Sequence, residues 1–106
     1  MIEIINARKQ KPSEKYDIWI DRRSPVGNPY TLIREDGRDN ICDSYDEWFK
    51  GKLTMKDSKI IEYLDSMFEL YKSHGRLRLF CWCVPKRCHG ETIKKYIEEE
   101  LNYHEG

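Results

Sequence analysis

The hydrophobic patterning of the chain predicts a small α/β domain: strand, strand, helix, helix, strand, helix, with about three strands in a mixed sheet packed with helices. Three observations carry that prediction. Short apolar or alternating runs lie at 2–6, 16–21 and 77–84. Runs with apolar residues every three to four positions occupy 38–49, 54–74 and 90–101. Two of those helical runs fall between the second and third strands, where a right-handed crossover would bring the third strand parallel to the second. With 106 residues, no internal repeat and no linker-like tract, residues 1–106 read as a single domain.

The elements follow in order. Ile2, Ile4 and Ile5 make residues 2–6 a strand. Residues 7–14 are polar and contain Pro12, which marks a loop. In 16–21, Tyr16, Ile18 and Ile20 alternate with Asp17, Trp19 and Asp21, a second strand with one apolar face. Pro25, Gly27, Pro29 and Gly37 break up residues 22–37, and unstructured segments near that length are often functional. Ile41, Tyr45, Trp48 and Phe49 then share a helical face. The next helix lines up Ile60, Leu64, Met67, Phe68 and Tyr71, with Asp57 or Ser58 as its cap and Gly75 where it stops. Leu77, Leu79, Cys81 and Cys83 alternate with Arg78, Phe80, Trp82 and Val84. Both faces are substantially apolar, as in a central strand, and Pro85 ends it. Ile93, Tyr96, Ile97 and Leu101 give the last helix its inward stripe.

Composition excludes several functions. Nineteen Lys and Arg balance nineteen Asp and Glu, so the chain lacks the positive excess of a general nucleic-acid coat or a polybasic membrane binder. No apolar run is long enough to span a bilayer, and Met1-Ile2-Glu3-Ile4-Ile5 lacks the pattern of a signal peptide. A cytoplasmic location is the expectation, and with it free or metal-bound cysteines rather than disulfides.

Candidate chemistry gathers in two loops. Parallel α/β sheets bind ligands beyond the carboxyl ends of their strands, and the loops after Ile20 and after Cys83 both leave such ends. If the strands are neighbours, the loops meet. The first brings Arg22, Arg23, Ser24, Gly27, Asn28 and Tyr30; the second brings Cys83, Cys88, His89 and Gly90. Guanidinium groups beside a helix N-terminus suit a phosphate or carboxylate. The expected site therefore takes an anionic small molecule, a nucleotide or nucleotide-derived ligand. Arg22, Arg23 and the helix start at Gly90 would hold the anion, and Asn28 and Tyr30 would orient it. Cys83, Cys88 and His89 would line the reactive end. Neighbours in sequence seldom aim their side chains at each other, so Cys83 with His89 is the expected nucleophile–base pair. Whether the site cleaves its ligand or only binds it stays open.

Blander readings stand beside these. Cys81 and Cys42 sit where core residues are expected, and Trp48 and Trp82 read as packing residues. A thioredoxin-type site wants Cys-x-x-Cys at a helix start, which Cys83 and Cys88 do not supply. Cys81, Cys83, Cys88 and His89 would also serve as four zinc ligands, the scaffold of an interaction module docking on a host protein. Against this, alternate strand residues stand about 6–7 Å apart, whereas thiolates around zinc need about 3.8 Å.

The same residues resemble a family. Asn6-x-Arg8, Tyr16-Asp17-Ile18-Trp19-Ile20-x-Arg22-x-Ser24, Gly27-Asn28-Pro29-Tyr30, Arg38 with Tyr45 and Trp48, and Leu79-x-Cys81-Trp82-Cys83-x-Pro85-x-x-Cys88-His89-Gly90 are similar to the domain of unknown function numbered 4326. The likeness spans nearly the whole chain. It implies a stand-alone intracellular domain from a phage or bacterium, brings no settled activity, and adds Arg8 to the candidate ligand-binding residues. One departure is visible: the family usually carries Ile-Gly-Arg where this chain has Ile20-Asp21-Arg22.

Overall fold

A computed structural model describes residues 1–30, 34–83 and 86–105. Its strands are β1 (Ile2–Asn6), β2 (Asp17–Trp19) and β3 (Leu77–Cys81); its helices are α1 (Arg38–Thr54), α2 (Ser58–His74) and α3 (Gly90–Glu105). A single 3₁₀ turn at Glu35–Gly37 precedes α1. The order matches the sequence prediction. The strands are shorter than expected: β2 loses both ends of 16–21, and β3 stops at Cys81. Trp82 and Cys83, expected to continue β3, lie beyond its end, and the expected strand residue Val84 and termination by Pro85 lie outside the described residues.

The sheet has the order β1-β3-β2 and is parallel throughout, not mixed. The α1–α2 connection makes β2 and β3 parallel neighbours, as the crossover argument required. The correction concerns β1. It lies on the far side of β3 in parallel register, with Ile4 opposite Leu79, because residues 7–16 carry the chain back across the sheet before β2 begins. Pairing runs slightly past the strand ends: Ala7 N–H donates to the Cys81 carbonyl and Ile20 N–H to that of Phe80. All three chains therefore leave the sheet at one edge.

One core cluster joins Ile2, Ile20, Leu77, Leu79 and Cys81 to Tyr45 and Phe49 of α1, Ile60, Leu64 and Met67 of α2, and Ile93 and Ile97 of α3. The apolar stripes of all three helices thus meet side chains of one sheet face. Asp57 caps α2 by accepting from Ile60 N–H, and Gly75 ends it at φ 67°, a left-handed conformation that glycine adopts without strain.

The opposite face closes differently. Arg78 is buried in central β3, and its register partner on β2 is Asp17. Arg78 Nε and Nη2 donate to the two Asp17 carboxylate oxygens at 2.6 and 2.7 Å. Tyr16 and Phe80 lie against the guanidinium, and Trp19 packs edge-on to Phe80. β3 is thus covered on both faces, once by helices and once by a charged and aromatic layer.

Among the described residues, no helix is long and apolar enough to cross a membrane.

Candidate functional site

The two loops meet. Trp82 Nε1 donates to Asp21 Oδ2 at 3.1 Å, and His89 Nε2 donates to the Ile20 carbonyl, so the segments after β2 and β3 are bonded side by side. Between them and the start of α1 lies a cleft of about 310 Å³. It is walled by Asp21, Arg22, Asn28 and Tyr30 on one side and Arg38, Ile41 and Arg87 on the other, with thiols and His89 at its floor. Its size falls at the lower end of small-ligand pockets.

The first loop is built as a compact turn. Ser24 donates to the Asp21 carbonyl with both its backbone N–H and its hydroxyl, and Gly27 N–H closes on the Ser24 carbonyl. Tyr45, fully buried in α1, donates its hydroxyl to the Val26 carbonyl at 2.6 Å and packs edge-on against His89. This one side chain ties both loops to the helical layer. Tyr45→Phe leaves the buried Val26 carbonyl without its donor and should lower stability by about 1–3 kcal/mol. A denaturant titration checks this, and an unchanged midpoint would mean that the loop is held elsewhere.

The second loop is clasped to α1. Arg38 grips Glu35 with Nε and Nη2 and donates from Nη1 to the Arg87 carbonyl, while Arg87 binds Asp39 and Asp43. Lys86 adds a third contact by pairing with Glu35. Two of the cleft's three arginines are therefore neutralised. Arg22 is not: among the described residues it donates to the Tyr30 carbonyl at 3.1 Å and no carboxylate pairs with it.

The thiols are gathered. Cys88 Sγ lies 3.1 Å from Cys81 Sγ and 3.6 Å from His89 Nδ1. Cys81 and Cys88 are buried, whereas Cys83 is half-buried at the cleft. Contacts from Cys81 and Cys88 hold the Cys83 thiol well below its ordinary range against the opposing effect of burial, and Arg38 reinforces them. The same contacts and burial push Cys88 upward. Of these two thiols, Cys83 is the one whose surroundings favour the thiolate, and Cys88 the one they keep protonated. Burial lowers His89, and its bond to the Ile20 carbonyl offsets this only in part, so the ring stays neutral with its proton on Nε2. Among the described residues, no group of three or more Cys, His, Asp or Glu stands where it could hold one metal ion.

The candidates from sequence divide. Arg22, Asn28, Tyr30, Cys83, Cys88 and His89 line the cleft. Four candidates lie off its walls. Arg23 turns away, binding the Asp21 carboxylate and covering the Trp19 ring at 4.1 Å. Ser24 is spent within the turn. Arg8 is exposed beyond β1. Gly90 N–H faces Cys88 Sγ at 3.4 Å, and its Cα packs toward Ile20 and Ile4. The amides that open α3 are already taken, since Glu91 N–H bonds the Cys88 carbonyl and Thr92 N–H that of His89.

Cys83 is the expected partner of His89; the thiol in contact with Nδ1, at 3.6 Å, is that of Cys88. The bond from Nε2 to Ile20 fixes the ring, and the tight turn into α3 then points Nδ1 back at its own neighbour. Trp82 is also more than packing. It is 46% exposed at the cleft, stacked on Trp19, with its indole N–H fixed by Asp21. Sequence reasoning missed Asp21, Arg38, Ile41, Cys42 and Arg87 as cleft residues. Arg38 and Asp21 carried a signal through the family resemblance, Asp21 as its one departure; the others sit in stretches that read as ordinary helix or loop.

A three-stranded parallel sheet packed with three helices defines an α/β protein, with a thiol-lined cleft at the carboxyl ends of its strands. The chain belongs to the family described as Domain of unknown function (DUF4326), whose model matches residues 5–99. No curated protein and no solved structure matches the chain.

Proposed function

We propose that the chain binds a phosphate-bearing small molecule, a nucleotide or nucleotide-derived ligand, in the cleft between Arg22 and Cys83. One observation carries this reading: Arg22 stands at the cleft without a carboxylate partner while Arg38 and Arg87 are neutralised. An unneutralised guanidinium on a partly enclosed surface favours an anion, and its paired donors suit phosphate oxygens. Trp82 and Tyr30, 46% and 41% exposed, offer flat faces on which a base can stack. Asn28, whose Oδ1 is engaged by Tyr30 N–H, keeps its amide NH₂ for a ligand oxygen. The α3 start, with its amides taken, is left out of the anion's coordination.

Thermal shift against a panel of nucleoside mono-, di- and triphosphates tests the proposal. At least one member should raise Tm. Arg22→Ala should weaken its binding by about 10- to 100-fold, the loss of one or two charged hydrogen bonds, with the circular dichroism unchanged. No stabilisation by any nucleotide, or undiminished binding by Arg22→Ala, overturns it. One equivalent of zinc in the purified protein, lost together with the fold, would favour the interaction-module reading instead.

A further inference from the structure

We propose that Cys83 is a modification site for hydroperoxides, with Cys88 as the thiol that resolves the oxidised product into a disulfide. The inference needs the cleft but not its nucleotide. Three thiols meet at the cleft floor, and they differ in access. Cys81 and Cys88 are 1% and 2% exposed, whereas Cys83 is half-buried and lines the opening. A small oxidant therefore reaches Cys83 first. It finds a sulfur that shares the cleft with the Arg38 guanidinium and with the Cys81–Cys88 pair, whose sulfurs lie 3.1 Å apart, and a cysteine exposed beside a cation is the reactive kind. Cys42 lines the same cleft, but it is buried in α1 and burial raises its thiol.

The chemistry closes without a further cofactor. The Cys83 thiolate attacks the terminal oxygen of a hydroperoxide. The S–O bond forms as the O–O bond breaks, and the alcohol (water, from hydrogen peroxide) leaves with a proton from solvent. Cys83 is now a sulfenic acid and the peroxide has taken two electrons. The Cys88 sulfur then attacks Cys83, the S–S bond forms, the S–O bond breaks, and water leaves with the Cys88 proton. Cys88 is the better resolving thiol because it belongs to the connection ahead of α3. Cys81 is fixed within β3, in register with Asn6 and bonded through its carbonyl to Ala7 N–H.

The disulfide would also act on the site. Cys88 Sγ accepts from Gly90 N–H at 3.4 Å, so drawing that sulfur toward Cys83 frees the first amide of α3 and moves the cleft floor.

The test treats reduced full-length protein with stoichiometric hydrogen peroxide and follows it by intact mass and peptide mapping. The expected product has lost two hydrogen atoms and carries a Cys83–Cys88 disulfide, with Cys42 reduced. Cys83 should react at least about tenfold faster than Cys42. Cys88→Ser should instead accumulate a dimedone-reactive sulfenic acid on Cys83, and Cys42→Ser should behave as the parent. Mapping the parent protein requires no variant to fold. A Cys81–Cys88 disulfide, oxidation of Cys42 at a similar rate, or thiols that stay inert until bound zinc is chelated overturns the proposal. None of these results bears on whether Arg22 binds a nucleotide.

Discussion

Asp17→Ala is expected to lower the folding free energy by about 3–5 kcal/mol, because it strands Arg78 in the middle of the sheet. The Asp17 side chain is fully buried and that of Arg78 nearly so, and their two hydrogen bonds form a bidentate fork. Asp17 does a second job, since its Oδ2 also accepts the backbone N–H of Ser13 and Glu14 and so shapes the β1–β2 crossover. Alanine loses all of this at once. For a domain whose total stability lies in the range of about 5–15 kcal/mol, that loss is severe. Replacing both partners, Asp17→Leu with Arg78→Met, should be milder than Asp17→Ala, because no charge is then left unpaired. Guanidinium titrations of the single and double variants read both effects. A loss below about 1 kcal/mol for Asp17→Ala would place the pair outside the stabilising interior.

The same carboxylate sets a pH dependence. Burial raises the Asp17 pKa, but the bonds from Arg78, Ser13 and Glu14 and the Arg78 charge outweigh it and hold the group at about 2. Its value in the unfolded chain is about 3.9. The folded value is the lower one, so the stabilisation is complete above about pH 4 and is lost as the pH falls through about 2, amounting to about 2 kcal/mol. Asp17→Asn should flatten this part of the acid limb.

That pair also shows what a strand pattern conveys. Alternation put Asp17 opposite Ile18 and Ile20, and a polar face normally faces water. Only register reveals otherwise: Asp17 lies directly beside Arg78, and a charge in a central strand requires a partner. The parallel pairing of β2 with β3 was legible because two helices separate them, and the meeting of the loops followed from it. The place of β1 was not legible, since nothing in residues 7–16 specifies which edge of β3 it leaves free. In the site, the thiols, His89 and Arg22 stood out by residue type and position. The fate of Arg23 did not, because its partner is Asp21 two residues earlier, in a turn whose geometry depends on Gly27. Likewise the His89 pairing is set by a carbonyl of a different strand, which local spacing does not encode.

Gly27→Ala should be the most damaging small substitution in the loops, at about 3 kcal/mol or more, near or beyond the usual upper range for forcing an atom into packed structure. A Cβ at position 27 would lie 2.6 Å from Arg22 Cα and closer still to the Asp21 carbonyl oxygen. Both obstacles are backbone, so no rotamer change relieves them, and the turn itself must open. Opening it moves Asp21, which anchors Trp82, and Arg22, which the proposed ligand requires. Gly90 provides the control. A Cβ there would meet Ile20 Cδ1, the far end of its side chain, at 2.8 Å and the Ile4 Cγ2 methyl at 3.3 Å, side-chain atoms rather than backbone. Gly90 is the first residue of α3, where alanine gains less than the about 1 kcal/mol of a helix interior, and with only side chains to displace Gly90→Ala should cost clearly less than Gly27→Ala. Denaturant midpoints rank the two variants, and nucleotide thermal shifts show whether Gly27→Ala loses binding under conditions where it remains folded. Equal midpoints would mean that the first loop yields as readily as a side chain. The cleft would then lack the rigid wall that makes Arg22 a preorganised anion ligand rather than a mobile surface charge.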